Sequence, residues 1–377
     1  MSNEADALRS RVIKALREQG FLINPHLKAR TNDKQTIRQI HELKRKEAIG
    51  RHRKFLAENL TEMKRYSLDG DEIEPSKINL KMIMVEGETF ESRVFFWWNL
   101  VWWSLPYTHP IGRQMRFVLW DEYHDAPFGL IGLQSPPLRS SVRDKFLGLD
   151  RENVDYWINQ SMYGHRIGAL PPFNYLIGTR MVALALTSNE VREAYKMKYG
   201  DKKTLLKKRF LPNRLLFITT TSAYGRGSAY ERLCYENDKA CKFIGFTAGS
   251  GTFHIPEDLY LQMLSFLKKE GHNVRRGYGT GPSRKLRLVD LALRKLKLGK
   301  LSFHNIKRGH YIFPNVSNLH GVIHREEPPS WHDRPFGDLL SFWKRRWCVP
   351  RSLRRDDWKR FRSDPYFEKV EKLWRED

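Results

Sequence analysis

Two β-rich runs, Met115 to Trp120 and Phe128 to Leu133, stand either side of the segment DEYHDAP, and this pair constrains the fold more than any other feature. Polar turn formers and a proline between two apolar runs of strand length predict a hairpin. The chain then alternates. Val154 to Tyr163 reads as a further strand, and a helix is expected after Pro171-Pro172, from about Phe173 to Leu186. Ser188 is a good N-cap for a second helix that stops at Gly200. Leu215 to Thr221 reads as a strand, the turn YGRGS follows, and a helix is expected from about Ala229. Phe243 to Phe246 and Thr252 to Ile255 read as a hairpin around Gly249-Ser250-Gly251. Strands and helices mixed in this way predict an α+β protein with a central mixed sheet.

The flanks read as helical. Leu8, Val12, Ile13 and Leu16 recur at helical spacing until Gly20. Asn32 and Gln35 have capping-box spacing ahead of a helix with Ile37, Ile40 and Leu43 on one face. Its other face carries Arg38, Lys44, Arg45, Lys46, Arg51, Arg53 and Lys54. The segment SLDGDEIEPSKI, 67–78, reads as a linker. Pro256 opens a helix with Leu259, Met263, Leu264 and Leu267, and Arg284 to Leu298 reads as a basic amphipathic helix. The expected division is a basic helical N-terminal region, 1–75, a central α/β core, 76–256, and a basic C-terminal region, 257–377. The apolar run from Val94 to Leu105 contains four tryptophans and is too short to span a bilayer, so it is expected to be buried. No apolar signal core opens the chain, and the three cysteines form no close pair. Both point to a soluble protein of a reducing compartment, the cytoplasm, without membrane partners.

Charge separates the same regions. The net charge is +24, and it is confined to three segments: +7 over 28–65, +10 over 272–310 and +7 over 334–362. The remainder is neutral. Localised excess of this kind is the footprint of a polyanion-binding protein, so DNA or RNA is the expected partner. The residues expected to touch nucleic acid are Arg275, Arg276, Arg284, Lys285, Arg287, Arg294, Lys344, Arg345, Arg346, Arg354 and Arg355. Gly277, Gly279 and Gly281, within GYGTGP and just before a helix, form a candidate phosphate loop, because glycines let backbone N–H groups converge. It is not a Walker loop, since no Gly-Lys-Ser/Thr is present. In the tail, Trp343, Trp347, Trp358 and Phe361 are interleaved with basic residues; such rings either stack on bases or pack inside while the charges face out. His304 with His310, or His124 with Asp121, match no metal-ligand spacing, so satisfied structural histidines are expected and neither a metal nor a cofactor is.

Five stretches carry a resemblance. SLPYTHPIGRQMRFVLWDE (104–122), VRDKFLGLD (142–150), YGHRIGALPPFNYLIGTRMVALALTSNEVREAYKMKYG (163–200), LLFITTTSAYGRGSAYERL (215–233) and FIGFTAGSGTFHI (243–255) resemble the DruA family, signature proteins of the bacterial Druantia antiphage defence system. The resemblance implies a role in defence beside a large helicase-like partner. Family-characteristic positions here are Arg143, Asp144, Gly148, Gly168, Pro171, Pro172, Gly178, Tyr230, Arg232, Leu233, Gly245, Thr247, Gly251 and His254. Arg143, Asp144, Tyr230 and His254 are therefore the candidate catalytic residues, with no established mechanism attached. The order hairpin, strand, helix, strand, helix, hairpin also resembles that of the GCN5-type acyltransferase fold. Relatives open the helix after the two prolines with two glycines and a lysine, where this chain has Gly178-Thr179-Arg180. The expected function is nucleic-acid binding within the defence system, and an acyltransferase-like or nuclease activity of the core is the competing reading.

Overall fold

In the computed structural model the described residues are all except 1, 2, 24–26, 30–33, 104, 106–108, 111, 201, 205, 206, 276–282, 300, 376 and 377. The expected Asn32 cap, Arg276 and the GYGTGP loop lie outside them.

The chain opens with helix α1 (Asn3–Glu18), a short hairpin of β1 (Phe21–Ile23) and β2 (Leu27–Ala29), and helix α2 (Lys34–Arg51). Short helices α3 (Arg53–Glu58) and α4 (Leu60–Arg65) lead to β3 (Leu80–Met84) and α5 (Phe90–Val101). The expected hairpin follows as β4 (Gln114–Asp121) and β5 (Ala126–Gln134), with Val118 opposite Leu130 and Asp121 opposite Ala126. Phe117, Leu119, Ile131 and Leu133 face one apolar cluster, while Val118, Trp120 and Leu130 face another. Burial on both faces is why the two strands read as continuous apolar runs.

Next come α6 (Ser141–Leu147), α7 (Val154–Ile158), β6 (Ser161–Ala169), α8 (Gly178–Ala185), α9 (Asn189–Tyr199) and β7 (Phe217–Thr221). The strand expected at Val154–Tyr163 is therefore displaced. Asp150 Oδ1 accepts from the backbone N–H groups of Glu152 and Asn153, at 2.8 Å each, and turns the chain into α7. The strand itself carries glycines, which weaken any strand signal, but they are there for space: a Cβ on Gly168 would lie 2.8 Å from the Trp102 ring. The helix expected over Phe173–Leu186 is broken at Ile177, which is left-handed at φ +61°, so α8 begins only at Gly178. Ser188 caps α9 as expected, accepting from the Val191 N–H at 3.3 Å.

No helix forms from Ala229. The left-handed Arg232 (φ +57°) and the small hairpin β8 (Cys234–Tyr235) and β9 (Asp238–Lys239) take its place. Strand β10 (Lys242–Phe246) does not pair with Thr252–Ile255, which is not a strand. It pairs with β11 (Gly309–Pro314), which in turn pairs with β7. Between them lie α10 (Glu257–Lys269) and α11 (Arg284–Lys295), and after them α12 (Leu319–His324), α13 (Phe336–Trp343), α14 (Val349–Arg354) and α15 (Ser363–Arg375). The result is a seven-stranded mixed sheet in the order β10-β11-β7-β6-β5-β4-β3, in which only β6 and β7 are parallel. Helices flank it at both ends of the chain.

The terminal regions meet each other. Leu8, Val12 and Leu16 of α1 share an apolar cluster with Leu259 and Met263 of α10 and Val289 and Leu293 of α11. Trp97 and Trp98 of α5 share another with Phe367 and Trp374 of α15. The segment 67–78 is consequently no free linker. Ile73 and Ile78 are buried, the Gly70 N–H donates to the Phe361 carbonyl at 2.9 Å, and Asp69 Oδ1 accepts from the Ser363 N–H at 2.8 Å. A Cβ on Gly70 would lie 1.8 Å from the Trp358 carbonyl oxygen. Gly70→Ala is therefore expected to undock this turn and lower the thermal midpoint, whereas Gly337→Ala, with open space around its Cβ and no left-handed backbone, should change it much less; equal midpoints would contradict the docking.

Candidate functional site

The four candidate catalytic residues do not form one constellation. Arg143 is nearly solvent-free and all its nitrogens are used: Nε and Nη2 donate to Asp144 Oδ1 at 2.8 and 2.6 Å, Nη1 to the Pro137 carbonyl at 2.8 Å and Nη2 to that of Leu138 at 3.1 Å. Asp144 Oδ2 accepts from the Ser140 N–H at 3.0 Å. The pair ties the start of α6 to the preceding loop. Tyr230 is buried against Tyr311 and Phe313, and burial pushes its phenol pKa up, so it is a poor proton donor or acceptor. His254 donates its Nε2–H to the Leu301 carbonyl at 2.8 Å, and its own carbonyl accepts from Gln19 Nε2 at 2.9 Å. It joins α1's C-terminal end to the loop before β11. The first turn of α8 is closed by apolar packing, since a Cβ on Gly178 would lie within 2.9 Å of Ala169 and Phe128.

The basic residues divide into two groups. Arg275, Arg287 and Arg294 are exposed, as are Arg345, Arg346, Arg354 and Arg355. Among the described residues none of these seven has a carboxylate within ion-pair distance. Arg287 and Arg294 lie two turns apart on one face of α11, opposite buried Val289 and Leu293. The others are tied down. Lys285 Nζ bonds Glu257 Oε2 at 2.8 Å, Lys344 Nζ donates to the Ile78 carbonyl at 3.0 Å, and Arg284 donates to the carbonyls of Asn273 and Arg275. The tail rings are inside: Trp343, Trp347 and Trp358 are all buried, so they are core and not a stacking platform.

A third set of residues escaped sequence reasoning. Cross-strand pairing of Tyr163 with Thr219, and of Thr221 with His310, places these four side chains on one face of the sheet. Tyr163 and Thr221 share a hydroxyl hydrogen bond of 2.7 Å. On that face α5 covers Val118 and Leu130, and α6 with α12 covers Phe217 and Ile312, leaving a polar strip between the two apolar clusters. Arg166 reaches Asn99 of α5 there. Both ring nitrogens of His165 and of His310 are buried without a hydrogen-bond partner, as are Arg308 Nε, His41 Nδ1, Arg45 Nε and the Tyr224 hydroxyl. Desolvation holds His41 at about 2, His165 at about 3 and His310 at about 4, so all three are neutral near pH 7. The expected satisfaction of the histidines holds for His124, which bonds Asp121 Oδ2 at 2.6 Å and accepts from the Glu74 N–H at 2.9 Å, and for His304, which accepts from the Ile306 N–H at 3.1 Å. It fails for His310. The runs YGHR, TTTS and RGH were the only signal of the strip, and nothing local says that they converge. Among the described residues no group of three or more His, Cys, Asp or Glu could hold a metal ion, and no helix is long and apolar enough to cross a membrane.

A mixed-sheet α+β protein with outward, uncompensated arginines and a carboxylate-poor polar strip is the class that this geometry defines. The chain belongs to the DruA family: the family profile described as Druantia protein DruA matches residues 31–324. It is also 30% identical over 368 residues to the Druantia protein DruA of Escherichia coli, which covers 96% of this chain and 91% of that protein. No solved structure matches. The order of elements that resembled the GCN5-type fold is not the observed one, because no helix forms from Ala229 and Thr252–Ile255 is not a strand.

Proposed function

We propose that this chain is a component of a bacterial Druantia-type antiphage defence system that holds DNA or RNA on its outward arginines, in the cytoplasm, and works with a helicase-like protein of the same system. Family membership supports the defence role. The observation that carries the binding role is the set of seven exposed arginines with no carboxylate within ion-pair distance among the described residues, in a chain whose net charge is +24. A folded protein gains little from leaving like charges uncompensated, whereas a phosphodiester backbone turns each into a contact and releases counterions.

Binding of short single-stranded and duplex DNA and RNA, followed by fluorescence anisotropy across a salt series, tests this. Affinity is expected to fall steeply with salt, and Arg287→Gln with Arg294→Gln should lower the log–log slope by roughly two if each holds one phosphate. Absence of binding to all four ligands at low salt would sink the proposal.

A further inference from the structure

We propose a second, internal site: the mouth of the β6–β7 pair binds a phosphate group through Arg308, Arg45, Tyr224 and His41. It is built independently of the outward arginines.

The sheet topology opens the place. β6 and β7 pair only as far as Gly164 opposite Thr220, while β6 continues to Ala169. Crevices at the carboxyl ends of parallel neighbours are where open sheets receive ligands, because diverging strands leave room that no backbone fills. Into this one, Arg308 projects from the residue before β11. Its Nη2 lies 3.1 Å from His41 Nε2, and its Nε has no partner. The polar groups that act on its charge are the Tyr163 and Tyr224 phenols, not a carboxylate. His41 is held neutral and so accepts from Arg308 without compensating it. One turn along α2, Arg45 donates through Nη2 to the Val101 carbonyl and leaves Nε unpartnered. Its nearest acid, Glu42, is exposed to solvent. The buried Tyr224 hydroxyl is also without a partner and lies in the field of both guanidinium groups, while Arg38 covers the Tyr224 ring at 5.5 Å.

Three arginines thus surround one phenol. Arg308 Nε, Arg45 Nε and the Tyr224 O–H are donors without acceptors, and among the described residues no carboxylate is hydrogen-bonded or ion-paired to them. An uncompensated cation and unmade hydrogen bonds in a partly desolvated place are costly, so the arrangement implies an absent acceptor-rich anion. A phosphate fits the chemistry best: several oxygens, negative charge, and a shape that accepts from forked guanidinium groups on different sides. Arg308, Arg45 and Tyr224 are each partly exposed, which gives the ligand a way in. The phosphate belongs either to a small molecule or to the end of a nucleic-acid strand.

The test uses the full chain, with thermal unfolding and calorimetry against inorganic phosphate, and against one short oligonucleotide with a 5′-phosphate or a 5′-hydroxyl. Phosphate is expected to raise the melting temperature by several degrees where chloride at equal ionic strength does not. Arg308→Met should raise the melting temperature in phosphate-free buffer, since it removes an uncompensated charge, and should abolish the phosphate response. Arg308→Lys, which keeps the charge but not the fork, should bind phosphate about tenfold more weakly. Arg287→Gln on the outer face should leave the phosphate response intact, so failure of the surface reading and failure of this one are separable. Tighter binding of the 5′-phosphorylated strand identifies a nucleic-acid end as the source, and equal binding of the two strands with a retained phosphate response identifies a small molecule. A wild-type protein indifferent to phosphate, or a response that survives in Arg308→Met, overturns the site.

Discussion

Acidification from pH 7 to pH 5 is expected to unfold the protein. His41, His254, His304 and His310 are nearly solvent-free, and burial is the largest cause that lowers them to about 2, 4, 3 and 4. In the unfolded chain each titrates near its ordinary value of about 6.5. A base whose folded pKa is depressed binds more protons when unfolded, so its contribution is fully present above about pH 6.5 and is lost as pH falls toward 4. Each such group removes about 1.4 kcal/mol per pH unit inside that window. Four together remove on the order of 5 kcal/mol per unit, against a total stability of roughly 5–15 kcal/mol for a folded domain. Asp69, lowered chiefly by hydrogen bonds from Ser363, adds to the loss at lower pH with the same sign. Denaturant unfolding at pH 7, 6 and 5 should show the midpoint falling steeply. His310→Leu, which removes two unpartnered ring nitrogens, should flatten the profile. A stability unchanged down to pH 4.5 would mean that these imidazoles are not held neutral.

Trp343→Ala is expected to cost about 4 kcal/mol, at the upper end of core truncations. The ring is solvent-free, stands edge-on to Phe128 at 5.4 Å, and donates its Nε1–H to the Ile177 carbonyl at 3.2 Å. That bond holds the left-handed Ile177 where α8 begins, so the substitution opens a cavity and frees a backbone acceptor together. Urea unfolding measures the loss. The slope of nucleic-acid affinity with salt should not change in protein that is still folded, because the ring is core; a selective loss of single-strand binding would return it to the role of a stacking platform.

Each element that was legible beforehand rests on a local rule. The β4–β5 hairpin follows from two apolar runs and a polar turn, and α9 from Ser188 and its distance to Gly200. Helices α1, α10 and α11 follow from apolar residues at helical spacing. The elements that were misread depend on distant partners. β10 pairs with β11 more than sixty residues later, and β6 hides behind glycines kept small for Trp102 and its neighbours. The site shows the same division. The outward arginines of α11 were readable, because charge opposite an apolar stripe must face solvent. Lys285 and Lys344 were not readable as tied residues, since Glu257 and the Ile78 carbonyl come from elsewhere in the chain.

By itself the sequence determined the class of fold, the family, the location of the excess charge and the faces of the regular helices, because periodicity, capping and composition act over a few residues. Only the tertiary structure decided that the two ends of the chain pack together around the sheet, that the tail tryptophans are core, and that Arg308, Arg45, Tyr224 and His41 meet. Those facts depend on which strand lies beside which, and long-range pairing leaves no mark in the local pattern.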